Sequence, residues 1–233
     1  MEKNLSTFFL RNIEGDISFL SENDSRHAIK VLRHKNGDQL SIIDGLGIDA
    51  IAEILDAHPK KTKIKILKKK NKNKPIQLAL AFCPTKSNDR NSFIFEKASE
   101  IGVTDFYPIV SQNSERRKWN SEKFKNIMVA TLKQSKQFWM PKIYDFQDFN
   151  AFIKLEKLPN LKFIAHCKED QKNSLKSLVN NVVPQLILIG PEGDFTTEEI
   201  TESKIHDFQS VDLGENRLRT ETACIVSVTM MKF

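Results

Sequence analysis

Two polar loops, each placed directly after an apolar run, carry the residues best suited to ligand chemistry. Residues 186–189 are apolar and end abruptly in the loop 190–195, of sequence GPEGDF, and residues 196–199 are typical of a helix start. In an open α/β sheet, ligands bind beside the carboxyl ends of the strands, where a glycine lets the backbone approach closely. The loop therefore predicts a ligand site, although a tight turn without a ligand explains the loop alone equally well.

A second loop of this kind covers residues 212–223, of sequence DLGENRLRTETA, and leads into the apolar segment 224–228. Thr220 is expected to cap the following helix, with Glu221 favourable at its positive end, an explanation that needs no ligand. Because one helix and one strand separate the two loops, we expect them to line opposite sides of one pocket.

Basic residues interleaved with aromatic residues indicate a nucleic-acid contact. They are Lys86, Arg90, Arg116, Arg117 and Lys118 before Trp119, and Lys133, Lys136 and Lys142 around Phe138 and Trp139. The pattern suits phosphate contacts combined with base stacking. Phe138 and Trp139 are expected equally as core residues, which is the commoner position of paired aromatics. His27 and Arg33, in a helical segment, fit either an RNA contact or local packing.

The segment 45–50, of sequence GLGIDA, matches the GxGxxA pattern of dinucleotide-binding loops. Its surroundings are rich in short strands, and the residues after it continue as another strand. We therefore expect a hairpin turn here and not a cofactor loop.

Composition limits the class of protein. The 233-residue chain has 36 Lys+Arg against 30 Asp+Glu, a net charge of +6, which fits a polyanionic partner. Its three cysteines show neither CxxC pairing nor histidines at ligand spacing, so reduced core thiols and no metal site are expected. No stretch approaches the ~20 apolar residues of a membrane span, so we expect a cytoplasmic protein without a membrane partner.

The elements that must position these residues fall into two groups. A basic run at 68–75 that ends in proline predicts a linker or an exposed edge between two domains. Before it, short strand-like segments predict a β-rich unit, expected as a barrel, with one helix that starts at Ser21 or Asn23 and turns Ala28, Val31 and Leu32 inward. After it, apolar runs alternate with helical stretches, one of them from Asp89 to Gly102, which predicts an α/β domain with a largely parallel sheet. The runs before the break are 7–10, 39–43, 48–55 and 62–67, and those after it are 77–82, 105–110, 161–165, 185–189 and 210–213.

Several short motifs are spread over essentially the whole chain. They are His27 with Val31-Leu32-Arg33 and Gly37-Asp38, Glu96-Lys97 with Glu100 and Gly102-Val103, Gln134-Ser135, Gly190-Pro191-Glu192-Gly193, and Leu213-Gly214 with Leu218-Arg219 and Glu221-Thr222-Ala223. Taken together, these motifs resemble the RsmE family of ribosomal RNA methyltransferases in the SPOUT superfamily.

The resemblance implies a PUA-like RNA-binding β-barrel at 1–72 and a trefoil-knotted α/β methyltransferase domain at 73–233. It also implies a homodimer that uses S-adenosylmethionine (AdoMet) to methylate N3 of a uridine in 16S rRNA of the small ribosomal subunit. The cofactor residues it implies are Ile189, Gly190, Pro191, Glu192, Gly193, Leu213, Gly214, Leu218, Arg219 and Thr220. The expected RNA contacts are His27, Arg33, Lys86, Arg90, Arg116, Arg117 and Lys136.

Two residues are expected to act on the uracil in such a reaction. N3 carries a proton that must leave before or during methyl transfer. Arg219 is expected to stabilise the negative charge that develops on the uracil, although bracing of the loop fits it equally well. Glu192 is a carboxylate that could accept the proton.

The chain departs from the family pattern at Asp194, where a glycine is usual, at Arg217, where an aliphatic residue is usual, and at Gln137, near an expected arginine. These departures concern the RNA side of the site. The alternative function is a non-catalytic RNA-binding ribosome-assembly factor that keeps the fold. The two intact glycine loops argue against it, because a pure binding protein has no need of them.

Overall fold

The computed structural model describes residues 5–13 and 15–233, so the first four residues of the predicted N-terminal domain lie outside it. The chain divides into two compact units. The first contains residues 1–74 and 129–140, and the second contains residues 75–128 and 141–233. Residues 129–140, which the sequence analysis placed in the C-terminal domain, thus cluster with the N-terminal unit.

The first unit is built on a five-stranded sheet in the order β1-β3-β4-β5-β2. Strands β1 and β3 are parallel, and the other neighbours are antiparallel. This confirms the predicted β-rich unit. Closure into a barrel stays a prediction, because the pairing of the described strands forms one path from β1 to β2. The elements are β1 (Thr7–Phe9), β2 (Ile17–Phe19), α1 (Glu22–Arg26), a π-helical turn (His27–Val31), β3 (Gln39–Ile43), β4 (Ile48–Asp56) and β5 (Lys63–Asn71).

The GxGxxA segment is a hairpin turn, as predicted. It joins β3 to β4, which pair antiparallel with Ile43 opposite Asp49. Gly45 and Gly47 have φ values of 75° and 101°, a region that glycine adopts without steric cost. The buried Asp44 carboxylate accepts hydrogen bonds from the N–H groups of Leu46 and Ile48, which closes the turn.

The helical segment of this unit differs from the prediction. Ser21 is the N-cap, and its hydroxyl oxygen accepts a hydrogen bond from the Asp24 N–H. Ala28 is buried, whereas Val31 and Leu32 are 62% and 40% exposed, so their inward orientation was a wrong prediction. The 3.6-residue period fails because residues 27–31 form a π-helical turn, whose wider period changes which side chains face the core.

The predicted linker at 68–75 begins too early. Residues 68–71 are the last part of β5 and pair with residues 48–51 of β4. The linker interpretation was wrong for these residues, because lysines on a solvated strand resemble a linker when only composition is considered.

The second unit has an eight-stranded parallel sheet, which confirms the α/β prediction. Its order is β11-β13-β10-β12-β6-β7-β8, and β9 also pairs with β7. The strands are β6 (Leu78–Phe82), β7 (Asp105–Val110), β8 (Lys142–Ile143), β9 (Gln147–Asp148), β10 (Leu161–Ala165), β11 (Asn173–Ser174), β12 (Gln185–Ile189) and β13 (Phe208–Asp212). The helices are α2 (Asn88–Ile101), α3 (Glu122–Ser135), α4 (Phe149–Ile153), α5 (Leu175–Leu178), α6 (Thr197–Ile205) and α7 (Thr220–Lys232).

The core of the second unit explains its apolar runs. Every residue of β6 and β12 is buried, as expected for central parallel strands covered on both faces by helices. Helix α2 begins after the N-cap Ser87 and ends at Gly102, whose φ of 109° supplies the left-handed C-cap. Helix α6 begins with a capping box between Thr196 and Glu199. No helix in the described part of the chain has the length and apolar character to cross a membrane.

Candidate functional site

A cavity of about 740 Å³ lies at the carboxyl ends of β10, β12 and β13. These ends are adjacent because the strands are in register: Ala165 of β10 is opposite Ile189 of β12 and Val211 of β13. The loop that follows each strand contributes to the cavity wall. Two of these loops are those predicted from the sequence, and residues 166–172 form the third.

Nine of the ten residues predicted to bind the cofactor line this cavity. They are Ile189, Gly190, Pro191, Glu192, Leu213, Gly214, Leu218, Arg219 and Thr220. Gly193 does not line it. A Cβ on Gly193 would lie 3.1 Å from the Cβ of Asn113, whose amide donates a hydrogen bond to the Gly193 carbonyl at 3.2 Å.

Gly190 serves packing inside the loop. A Cβ at this position would lie 3.0 to 3.3 Å from the ring of Phe195, which is fully buried. A side chain on Gly190 would therefore push against Phe195 and disturb the loop. This corrects the expectation that the glycine leaves space for the cofactor directly.

Thr220 does not cap helix α7, which corrects the sequence prediction. The N-cap is Arg219, and its side chain makes no capping bond. The Thr220 hydroxyl instead donates a hydrogen bond to the Gly190 carbonyl at 3.3 Å. This bond joins the two glycine loops, so the start of α7 holds one wall of the cavity to the other.

Asp194 stands where the family pattern has a glycine, and its backbone conformation and side-chain contacts account for the difference. Its φ is 62°, a left-handed conformation that aspartate tolerates better than most residues. Its carboxylate accepts hydrogen bonds from the N–H of Cys167 and from its own neighbour Phe195, each at 2.8 Å. Asp194 therefore ties the loop after β12 to the loop after β10, a contact that glycine could not make.

His166 is a buried residue of the cavity wall that sequence reasoning missed. One ring nitrogen, Nε2, lies 3.1 Å from the Ser210 hydroxyl. The other, Nδ1, has no hydrogen-bond partner among the described residues. Burial lowers the pKa of His166, so the ring is neutral at pH 7. The available signal was its place directly after the apolar run 161–165, a third strand end beside the two glycine loops.

The two residues predicted to act on the substrate are both exposed at the cavity. Neither the Glu192 carboxylate nor the Arg219 guanidinium takes part in an ion pair in the described part of the chain. Arg90, in contrast, lies at the cavity with its Nε 3.4 Å from the Glu221 carboxylate. The charges of Glu192 and Arg219 are thus available to a ligand, as are those of the exposed Glu215 and Arg217 in the same cavity wall.

The predicted RNA contacts fall into both units. Lys86, Arg90, Arg116 and Arg117 belong to the second unit, and His27, Arg33 and Lys136 belong to the first. The Arg116 guanidinium donates hydrogen bonds to the carbonyls of Thr85 and Lys86 and to the side chain of Asn88, so it braces the loop before α2. His27, Arg33, Lys86 and Lys136 are exposed.

Two of the three cysteines are core thiols as predicted, and one is not. Cys83 and Cys224 are buried, and burial raises the pKa of Cys83 to about 11 and that of Cys224 well above its usual value. Cys167 is exposed and lines the cavity. The prediction failed there because Cys167 follows the strand end and lies in the loop that Asp194 holds.

Comparison with known proteins gives the family. The model of an RNA methyltransferase domain matches residues 72–232, and that of an RNA methyltransferase PUA domain matches residues 20–67. The "Ribosomal RNA small subunit methyltransferase E" of Mesomycoplasma hyopneumoniae is 30% identical over 230 residues, which cover 95% of this chain and 96% of the relative.

Solved structures give the same fold. The crystal structure of a probable rRNA-methyltransferase from Porphyromonas gingivalis has a TM-score of 0.90 and 31% identity, and the alignment covers 98% of each chain. A ribosomal RNA small subunit methyltransferase E from Neisseria gonorrhoeae, bound to S-adenosyl methionine, has a TM-score of 0.85 and 24% identity, with 97% of this chain and 96% of that chain covered. With the loops described above, these matches show that the chain belongs to the RNA methyltransferase family that includes the ribosomal RNA small subunit methyltransferases E.

Proposed function

We propose that this protein transfers a methyl group from AdoMet to N3 of a specific uridine in 16S rRNA. The observation that carries the proposal is the cavity at three adjacent strand ends, which gathers nine of the ten residues predicted to bind the cofactor. The relative from Neisseria gonorrhoeae, with the same fold, is described as bound to S-adenosyl methionine, and the curated relatives are named for ribosomal RNA of the small subunit.

The residues of the cavity fit AdoMet. The cavity volume of about 740 Å³ lies within the range that is usual for small-molecule sites in proteins. Ile189, Leu213 and Leu218 supply apolar wall, while backbone groups of the two glycine loops supply donors and acceptors. The buried Nδ1 of His166, which has no partner among the described residues, is a polar atom that a ligand in the cavity can satisfy.

The chemistry divides between the cofactor and the chain. AdoMet supplies an activated methyl group on a sulfonium. The loops hold and orient the reactants, which is the main contribution that a protein makes to such a transfer. The Arg219 guanidinium stabilises negative charge on the uracil as the N3 proton leaves, and the Glu192 carboxylate accepts that proton.

The proposal also gives each of the two predicted domains a role. Residues 1–72 bind RNA as a PUA-like barrel, and residues 73–233 form the methyltransferase domain, an assignment supported by the two matching domain families. We infer a trefoil knot in the second domain. The support is the family resemblance together with the bond from Thr220 to Gly190, which places the start of the last helix against an internal loop.

We also propose a homodimer that acts on 16S rRNA or on the small ribosomal subunit. Ile225, Val226 and Met230 of α7 are apolar and only partly buried, whereas Cys224, Val228 and Met231 are buried. A row of partly exposed apolar side chains on a terminal helix suits contact with a second copy. Light scattering at micromolar concentration is expected to give the mass of two chains, and the mass of one chain would contradict the dimer.

A methylation assay tests the function. Labelled AdoMet is incubated with the protein and with unmodified 16S rRNA, free or in assembled small subunits. We expect incorporation of label and one new stop in reverse transcription, because methylation at N3 blocks the pairing edge of uracil. Incorporation at a cytosine or purine would overturn the assigned base. AdoMet binding without transfer to either substrate would favour the non-catalytic assembly factor.

A further inference from the structure

The five-stranded sheet of the first unit has a groove on the face turned away from its core. The groove has a volume of about 360 Å³, and its wall includes Thr7, Ser41, Ile51, Lys68, Lys70 and Phe138. All of these residues belong to the first unit. We call this cavity the outer-face groove.

Strand register builds the floor of the outer-face groove. Thr7, Ser41, Ile51 and Lys68 are consecutive partners across β1, β3, β4 and β5. Such partners lie side by side on one face of a sheet. The neighbouring inward row, in contrast, contains Phe8, Ile42 and Ala50, which are all buried.

A β-bulge in β5 turns two lysines into this groove. Ile64 and Ile66 face the core, so strict alternation would turn the side chains of Lys68 and Lys70 inward as well. The register shifts at this point: Ala52 pairs with Ile66, but Ile51 pairs with Lys68. The extra residue, Leu67, reverses the alternation, as one-residue bulges do.

The contacts of Lys69 agree with this reversal of side-chain direction after the bulge. It is the partner of the buried Ala50, and its ammonium group donates hydrogen bonds to the carbonyls of Ile13 and Gly15, each at 3.2 Å. Lys69 is thereby anchored on the inner side, while Lys68 and Lys70 are exposed at the groove. The bulge therefore determines which lysines of the run are available to a partner.

An aromatic residue and a carboxylate that is already paired complete the groove. Phe138 is half-buried in its wall, and its carbonyl accepts a hydrogen bond from the Gly47 N–H at 2.9 Å. The Lys72 ammonium lies 4.6 Å from the centre of the Phe138 ring and 3.1 Å from the Asp49 carboxylate. Asp49, the acidic residue of the groove wall, is thus already neutralised by Lys72.

We propose that the outer-face groove binds a single-stranded segment of the RNA substrate. Lys68 and Lys70 contact phosphates, and an unpaired base stacks at Phe138 above the apolar floor of Ile43 and Ile51. Lysines beside an aromatic residue are the usual composition of single-strand sites, and an unpaired base can reach such a floor whereas a duplex cannot. The inference rests on the proposed function only in its choice of ribosomal RNA as the source of the strand.

Binding of a short, fluorescein-labelled, single-stranded oligoribonucleotide to the full-length protein tests the proposal. In the double variant Lys68→Gln/Lys70→Gln we expect affinity to fall tenfold or more at low salt. The slope of log affinity against log salt should become shallower by about 1.4, because each lost phosphate contact on a single strand changes it by about 0.7. In Phe138→Leu, which keeps an apolar side chain, affinity should fall about fivefold or more.

The matched control is Lys60→Gln/Lys65→Gln, which removes the same charge from exposed lysines of the same unit outside the groove. We expect its affinity to stay within about twofold of wild type, because lysines that contact no phosphate release no counterions on binding. Equal losses in both lysine pairs would overturn the groove in favour of general charge attraction. Preference for a duplex of the same sequence would overturn the single-strand assignment.

Two further readouts separate this proposal from the proposed function. AdoMet affinity should be unchanged in the groove variants. If wild type methylates 16S rRNA and Lys68→Gln/Lys70→Gln does so with the same kcat and KM, the groove assignment is wrong and the function stands. If wild type transfers no methyl group, the proposed function is wrong, and the oligoribonucleotide titrations still decide the groove.

Discussion

The cavity of the second unit and the outer-face groove of the first are built in different ways. The cavity is shaped by backbone, since three loops follow three adjacent strand ends and are tied together by Asp194 and Thr220. The groove is shaped by side chains on a sheet, and one bulge decides which of them it contains. A site made of loops needs glycine and proline at fixed places, whereas a site on a sheet depends on register, which composition does not reveal.

The largest effect should come from the charge that acts on the substrate at the cavity. We expect Arg219→Ala to lower the rate of methyl transfer by about 100-fold or more, because loss of a group that stabilises developing charge has a cost of this order. The rates are compared at saturating AdoMet, because Arg219 also lines the cavity proposed for the cofactor.

Two matched variants show whether the lower rate of Arg219→Ala comes from the lost charge. Arg219→Lys, which keeps the charge, should recover part of the rate, and Lys176→Ala, which removes an exposed cation on α5, should leave it unchanged. A rate within a few fold of wild type in Arg219→Ala would mean that Arg219 only braces its loop.

The next largest effect is expected when the hydrogen bond between the loops after β10 and β12 is removed. Asp194→Ala removes the acceptor of the Cys167 N–H and places alanine at a φ of 62°, so we expect a loss of about 2 kcal/mol in the free energy of unfolding. AdoMet affinity should fall with it. Thermal melting and calorimetry measure both quantities.

Conservative substitutions at Asp194 separate the loss of the hydrogen-bond acceptor from the strain of the left-handed backbone conformation. Asp194→Asn keeps an acceptor and a residue that tolerates the left-handed region, and should be the mildest. Asp194→Gly relieves the backbone but loses the acceptor, and should be intermediate. Equal stability and AdoMet affinity in the alanine and asparagine variants would show that the Asp194 side chain does not hold the two loops together.

A smaller effect is expected from the bond between the two glycine loops. Thr220→Val keeps the shape of the side chain and removes the hydroxyl that donates to the Gly190 carbonyl, which should lower the free energy of unfolding by about 1 kcal/mol. Thr222→Val, on the exposed side of α7, is the control for a β-branched substitution near the helix start. Denaturant unfolding measures both variants, and equal midpoints would show that the bond contributes nothing.

The smallest effect is a dependence of stability on pH. Because burial lowers the pKa of His166, the unfolded chain binds a proton below the ordinary value of 6.5 while the folded chain does not. The free energy of unfolding should therefore fall as the pH falls from 7 to 5, and His166→Gln should reduce that slope. An unchanged slope would mean that His166 takes up its proton without disturbing the fold.

The sequence predicted best what depends on burial and on glycine. The runs at 161–165 and 185–189 became β10 and β12 with the same bounds, because central parallel strands are predominantly apolar. Gly102 ended its helix where expected, since a left-handed C-cap has a strong preference for glycine.

What the sequence could not supply depends on contacts between distant residues. The lysines of β5 have the composition of a linker or exposed edge, and a local pattern does not show their strand partners in β4. The role of Asp194 follows from the Cys167 N–H, which lies far from it along the chain, and that of Thr220 from the Gly190 carbonyl. His166 was missed because a single histidine after a strand has no pattern of its own.

The reactivity of Cys167 tests whether AdoMet occupies the cavity of the second unit. At neutral pH a thiol reagent should modify Cys167 alone, because Cys83 and Cys224 are buried with raised pKa values and Cys167 is exposed in the cavity wall. Cys167→Ser should abolish the labelling. If AdoMet occupies the cavity, it should slow modification of Cys167 in proportion to the bound fraction that calorimetry gives, and an unchanged rate at saturating AdoMet would contradict the assignment of the cofactor to this cavity.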